Sequence, residues 1–434
     1  MESVCLLLNI AAAKDWDIQQ IDVKTAFLYG LLPPDEVQYL EQPESFAEPG
    51  KEDWVWCLQR GLYGMKQSGR IWNKTMHKAM LNWGFHQLHA DPCIYYRVTP
   101  LGTVLSAVHI DDFLIISSSP EVSRSFKEEL KSLGTISDLG EAHFCMGIAI
   151  TCDQANRFVS ISQTALIDRI ILQFGQTDAD PISTPMDPSI VKSLTHPSPS
   201  NPPLSDVDSL ELAHIPYRSL VGSLMYLAVG TQPDISLAVA RLCQFLDCYH
   251  HAHWNAAIHV VRYLKGTCLL TLTLGGDPEL DLIGFSDSSH TDCPDTARST
   301  MGYCFSVGGA IFTWSSHRQK TVSNSSCEAE YIALSEASRE ALWLRQFLCE
   351  IHLLKQSPTI LLCDNNGAKA LSSDPTHHSR SKHIDVHHHF VCEHVEDGSL
   401  TIWRVPGHDN VADIFTKALP HPDFTRLRPY LGLQ

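Results

Sequence analysis

The chain reads as an α+β domain, then a small helical module, then an α/β domain whose elements run βββαβαβα. Three observations predict this. Alternating apolar runs mix with helical segments before residue 178, prolines crowd the stretch from about Asp178 to Asp208, and the hydrophobic period changes again near Leu272. With 434 residues, 44% of them hydrophobic, the chain can bury several cores, and its length suggests two or three domains.

In the first part, TVLSAVHI and FLIIS alternate as strands do, whereas VSRSFKEELKSL has helical spacing. PISTP and THPSPSNPPLSD carry no apolar period and read as a linker. YRSLVGSLMYLAV, DISLAVARLCQFL and HWNAAIHVVRYLKG return to helical spacing, giving a helical module that ends near Lys265. Beyond Leu272, LIGFSDSS, GYCFSV and AIFTWSS read as three strands, the last two joined as a hairpin at Gly308 and Gly309. A long helix from Cys327 to about Ile351 sets Leu344, Phe347, Leu348 and Ile351 on one face. A strand (TILLC), a helix around GAKAL, a strand (LTIWRV) and a final helix from about Val411 complete the order. The expected boundaries are 1–177, a linker at 178–208, a helical module at 209–271 and the last domain at 272–434.

The 14 cysteines form no CxxC pair, which suggests reduced thiols in an intracellular compartment rather than a disulfide framework or a structural metal site. The opening MESVCLLLNIAAAKDWD carries Glu2 and no early positive charge, so a secretory leader is disfavoured. No stretch reaches the ~20 apolar residues of a membrane helix, so no membrane association is expected. A net charge of −17 opposes nucleic-acid binding at long range. Screening confines that repulsion to about 8 Å at physiological salt, so local basic patches can still bind.

Part of the acidity falls where metal ligands would. In AVHIDDFLII, Asp111 and Asp112 are adjacent, and neighbouring residues on a strand face opposite ways, so both can serve one site only at a hairpin tip. The plain alternative is a solvated turn. In WDIQQIDVKTAFLYG, Asp22 lies between Ile21 and Val23 and points away from them; its plain reading is an edge-strand aspartate facing water. Three carboxylates converging at strand ends would suit nucleotidyl transfer by two magnesium ions about 4 Å apart.

A second set is spaced through the βββαβαβα region: Asp287 in its first strand, Glu330 early in the long helix, Asp364 at a strand end and Asp413 opening the last helix. SSCEAEY offers two glutamates. Ser325 and Glu328 have capping-box spacing, which leaves Glu330 for chemistry. Asp364 follows ILLC, where an α/β strand end can build a site or simply cap a helix.

IDVKTAFLYG, GLYGMKQSGRIW, HIDDF and SDLGEAHFCMGIAI together resemble the copia-type reverse transcriptases. GFSDSS, RSTMGYCF, SSCEAEYIALSEA, LLCDN and VADIFTK are similar to the ribonuclease H of the same retrotransposon Pol polyproteins, so the resemblance covers the whole chain. It implies a palm-type polymerase domain, a helical thumb or connection and a ribonuclease H-like domain, acting on an RNA template, a DNA primer, dNTPs and RNA–DNA hybrids. Asp22, Asp111 and Asp112 would hold two Mg²⁺ (Mn²⁺ serving as well), and Asp287, Glu330, Asp364 and Asp413 two more. Phe27 would fall where an aromatic excludes the sugar 2′-hydroxyl, Lys66 and Gln67 near template and nucleotide, and Met146 and Gly147 on the primer grip.

Departures from the family pattern are His109 before the paired aspartates, Gly69 after KQS, and SSH after Asp287. The family continues upstream of MESV with a fingers region, so extension by these 434 residues alone is not expected. His408 in VPGHDN could move protons beside the scissile phosphate or be an ordinary loop histidine. In HHSRSKHIDVHHHF, His383 and His387 are spaced as zinc ligands would be, but a helix beside nucleic acid is the plainer account. Arg318, Lys320, Arg380 and Lys382 are candidates for phosphate contact. A reverse transcriptase joined to a ribonuclease H, in a cytoplasmic particle or the nucleus, is the expected function. The alternative is a non-catalytic remnant that folds and at most binds nucleic acid; acids at all seven ligand positions favour the enzyme.

Overall fold

A computed structural model describes residues 1–196, 212, 214–373 and 385–434. The chain forms two compact units, one of Asp15–Cys145 and one of Met1–Lys14 together with Met146–Gln434.

The first unit is built on a six-stranded sheet in the order His86–Gln87, Ile94–Thr99, Gly102–His109, Asp112–Ser117, Asp17–Val23, Ile136–Glu141, with every pair antiparallel. Ile21, Val23, Phe113 and Ile115 project from it against Trp72, Met76 and Met80 of helix Ser68–Asn82 and Val122, Phe126 and Leu130 of helix Pro120–Lys131. That second helix starts where the sequence says it should: the Ser119 side chain accepts from Val122 N–H and Pro120 supplies a first-turn residue that needs no donor. Burying this apolar stripe fixes the central strand pair on which Asp22 and Asp112 stand.

In the second unit, strands Ile148–Asp153, Phe158–Ser162 and Leu272–Gly275 form an antiparallel run. Helices Thr164–Gln173, Tyr217–Gly230, Ser236–Leu242 and His251–Thr267 lie between in sequence. A five-stranded sheet follows in the order Ala310–Arg318, Thr300–Val307, Ile283–Ser289, Thr359–Cys363, Leu400–Arg404. Its first two pairings are antiparallel and its last two parallel. The helices have no core of their own: Leu220, Leu224, Val239, Val260 and Leu264 share one cluster with Cys304, Ile311, Val411 and Phe415.

Three features differ from the sequence reading. Helix Glu2–Lys14, expected with the polymerase half, packs on Leu272–Gly275 and Ala310–Arg318. Its Asn9 is tied there by donating to Val307 O at 2.8 Å and accepting from Gly275 N–H at 2.5 Å. The expected helix from Val411 is a 3-10 turn, Val411–Phe415, and the last α-helix is His421–Leu427, started by Pro420 and Pro422. Helix Asp385–Glu396, in the histidine-rich run also read as a helix, precedes strand Leu400–Arg404 and is one helix more than the βββαβαβα order holds. Among the described residues no helix is long and apolar enough to cross a membrane.

Candidate active sites

In the first unit, antiparallel pairing sets Asp22 opposite Asp112, and Val23 N–H donates to Asp111 O at 2.9 Å. The strand of Asp22 has neighbours on both sides, so the edge-strand reading does not hold. The turn joining the paired aspartates holds Ile110 at φ 59°, a strained place for a β-branched residue. What holds it is Trp72, buried in the core, whose indole N–H donates to Ile110 O at 2.7 Å. Burial, then the charges of Asp111 and Asp112, push the Asp22 carboxyl above its usual range against the pull of Lys24. These three groups thus share one electrostatic neighbourhood. Trp72→Phe, which leaves that carbonyl without its donor, should lower stability by about 1–3 kcal/mol. An unchanged denaturation midpoint would contradict this role.

Phe27 stands on the 3-10 turn Ala26–Tyr29 with its ring centroid 4.8 Å from that of Tyr63. Burial, Asp111 and Asp22 raise the Tyr63 hydroxyl, so the aromatic pair borders the carboxylates; nothing in the residue pattern marks Tyr63 for this place. Lys66 is exposed, and Gln67 caps helix Ser68–Asn82 without a side-chain bond. Gly69 lies in that helix's first turn.

In the second unit, Met146 and Gly147 form a turn of two successive left-handed residues (φ 48° and 76°). The Tyr226 hydroxyl donates to Met146 O at 2.5 Å, and a Cβ at position 147 would lie 2.5 Å from that hydroxyl oxygen.

The same unit holds the tighter acidic cluster. Parallel pairing of Phe285 with Leu362, carried on two residues, brings Asp287 alongside Asp364 at the strand ends. Asp413 arrives from the Val411–Phe415 turn, which Asn410 anchors by donating to Ser286 O at 3.0 Å and accepting from Ala412 N–H. The turn comes this close because Gly302 pairs with Asp287, where any Cβ would stand 2.6 Å from Phe415 Cβ. Among the described residues, Asp287, Asp364 and Asp413 are the one group of three whose ligand atoms lie within 4.8 Å of one another.

Glu330 faces this group from the first turns of helix Ser326–Glu350. Burial, then Asp287 and Asp364, push its carboxyl far up. Its Oε2 is buried without a hydrogen-bond partner. Glu328 instead has structural work. Its N–H donates to Ser325 Oγ at 3.1 Å, and its Oε2 accepts from Asn324 N–H at 2.7 Å, where a strict capping box would use Ser325 N–H.

Burial and Asp287 likewise raise Asp364 and Asp413. On the other side, Thr416 Oγ1 donates to Asp287 Oδ2, and Lys417 Nζ lies 2.9 Å from Asp413 Oδ1 and 3.3 Å from Asp287. The sequence did not single out Asn410, Thr416 or Lys417. Hard carboxylate oxygens, crowded, partly buried and one of them unpartnered, are the donor set that Mg²⁺ or Mn²⁺ fits.

Such crowding has a consequence for pH. A carboxylate raised on folding keeps its proton in the folded chain after the unfolded chain has lost it, so stability falls with pH from the ordinary carboxylate range up to the folded value. Metal-free protein should therefore become less stable as pH rises from about 4.5 to about 9, and Glu330→Gln should flatten that slope. The same slope in both proteins would contradict this electrostatic picture.

His408 is outside the cluster: its side chain is 72% exposed and its Nε2 lies 3.2 Å from Asp409 Oδ2. Arg318 donates to Gln244 Oε1 at 3.0 Å and to Cys293 Sγ at 3.6 Å, whereas Lys320 is exposed. Arg380, Lys382 and His383 lie outside the described residues, as does the side chain of His387.

Residues 1–188 match the family model described as reverse transcriptase (RNA-dependent DNA polymerase). The chain is 35% identical to the retrovirus-related Pol polyprotein from transposon TNT 1-94 of Nicotiana tabacum, covering 100% of this chain and 32% of that protein. It is 33% identical to the corresponding polyprotein from transposon RE1 of Arabidopsis thaliana, covering 99% of this chain and 28% of that protein. The chain thus spans about a third of the length of these curated relatives. Over 322 residues, 74% of this chain, it is 33% identical to the whole of a Ty5-1 transposon protein of Saccharomyces cerevisiae. The chain belongs to the reverse transcriptase family of retrotransposon Pol polyproteins.

Proposed function

We propose that this chain joins an RNA-directed DNA polymerase palm to a ribonuclease H that hydrolyses the RNA of RNA–DNA hybrids. The observation that carries the second half is the convergence of Asp287, Glu330, Asp364 and Asp413, with Glu330 Oε2 unpartnered, beside a sheet whose strand order places the first strand between the second and fourth. On this reading the palm lies within residues 1–177, a thumb or connection within 209–271 and the nuclease within 272–434, while the described part of the expected 178–208 linker packs helix Pro188–Ser193, with Met186 and Leu194 buried, into the core of the second unit.

Bound between the four acids, two divalent cations would supply an activated water and neutralise charge on the scissile phosphate. The chain's own part is to hold those oxygens in place. Thr416 orients Asp287, the Asn410 anchor fixes the turn that carries Asp413, and the parallel strand pair sets Asp364 beside Asp287. His408 at the exposed rim is the candidate to carry a proton, and Lys320, with Arg318, Arg380 and Lys382, to meet phosphates. In the first unit, Asp22, Asp111 and Asp112 would hold the corresponding cations for nucleotidyl transfer. Phe27 would close on the sugar, Lys66 and Gln67 would lie by template and dNTP, and the Met146–Gly147 turn would grip the primer.

Purified protein with Mg²⁺ should cut the RNA strand of a hybrid while leaving duplex DNA intact. Asp364→Asn should abolish cutting without unfolding the chain. Undiminished cutting by that variant would refute the assignment, and a lack of cutting by the unaltered protein would favour a remnant that only binds.

A further inference from the structure

We propose that Lys417 is a built-in counter-cation of the four-acid cluster, bridging Asp287 and Asp413 in the metal-free protein and yielding that place when divalent metal binds. This rests on the reading of the cluster as a metal site and adds a competitor within the chain.

The geometry is that of a bridging cation. The ammonium is 2.9 Å from Asp413 Oδ1 and 3.3 Å from Asp287, and the oxygens of Asp287, Asp364 and Asp413 lie within 4.8 Å of one another. A metal ligated by both aspartates would need the same space. The two neighbouring side chains then divide the task. Thr416 is 1% exposed and its hydroxyl is committed to Asp287, so its contribution stays in place. Lys417 is 39% exposed on a flexible four-carbon stem, so its ammonium can swing to water at small cost.

The alternative to a counter-cation is costly. Asp287 is fully buried with oxygens of Asp364 and Asp413 within 4.8 Å, so without a nearby positive charge the metal-free aspartates would repel one another. The lysine position also explains a sequence feature that otherwise looks ordinary: Asp413 and Lys417 are an i, i+4 pair, but the bond to Asp287 crosses 130 positions.

The test is calorimetric titration of the whole chain with Mn²⁺, using the unaltered protein, Asp364→Asn, Lys417→Met and Lys417→Arg. Asp364→Asn should lose the binding that belongs to this cluster, which separates it from the acids of the first unit. Lys417→Met should bind Mn²⁺ there roughly tenfold more tightly, because the metal no longer displaces a competing charge. In EDTA the same variant should melt at lower temperature, and Lys417→Arg should restore both the melting point and the weaker metal affinity. If Lys417→Met does not fold, Lys417→Gln replaces it in the same comparison. Binding that is lost in Asp364→Asn but unchanged or weakened in the neutral lysine variant overturns the counter-cation role and leaves the metal site standing. Binding that is absent from the unaltered protein, or indifferent to Asp364→Asn, overturns both.

Discussion

Glu330→Gln should slow RNA cleavage by at least about a thousandfold, whereas Glu328→Gln, two positions earlier on the same helix, should keep the rate within about threefold. The two side chains differ in what they meet, not in chemistry. Glu330 lies in the field of Asp287 and Asp364, with one oxygen buried and unpartnered. Losing one of its ligand oxygens would remove a contact that binds cation and orients the reacting phosphate. Glu328 accepts from Asn324 N–H and receives the helix cap of Ser325 at its own N–H, so its substitution should cost about 1 kcal/mol of stability. Single-turnover cleavage of a labelled hybrid, paired with denaturant unfolding, separates the two. Equal rate losses at both positions would contradict the division of labour.

The second large effect concerns nucleotide selection. In primer extension by a polymerase that includes this chain, Phe27→Ala should lower discrimination between dNTPs and rNTPs by roughly a hundredfold, since the ring would no longer occupy the 2′-hydroxyl's space. The Phe27 ring lies 4.8 Å from that of Tyr63, tilted 45° to it, and Tyr63 in turn lies within the field of Asp22 and Asp111. The two rings are therefore in contact. Tyr63→Ala should weaken selection in the same direction by less, by letting Phe27 tilt. Unchanged relative incorporation in Phe27→Ala would show that the sugar is sorted elsewhere.

Much of this arrangement could be read from residue patterns. Asp22, Asp111 and Asp112 stood out because charge interrupts strand-like apolar runs, and strand register then sets Asp22 opposite Asp112. The strands after Leu272 and the long helix were equally legible, and with them the places of Asp287, Glu330 and Asp364.

The rest depends on tertiary contact. Helix Glu2–Lys14 is apolar on nearly every face, so its pattern says that it is buried but not against what. Trp72 reads as a helix core residue, yet its indole N–H also pins a strained turn 38 positions away. Lys417 looks like half of a surface i, i+4 pair until Asp287 appears beside it. The expected last helix fails at Val411 because Asn410 caps only a short 3-10 turn, which ends before Pro420 and Pro422 start the true helix.

If Asp287, Glu330, Asp364 and Asp413 form one site for divalent cations, crystals of the chain grown with Mn²⁺ should show anomalous scattering there. Peaks are expected about 2.0–2.4 Å from oxygens of these four side chains, with Lys417 Nζ moved away from Asp413. Crystals that bind Mn²⁺ elsewhere, while this cluster stays free of anomalous density and Lys417 keeps its bridge, would contradict it.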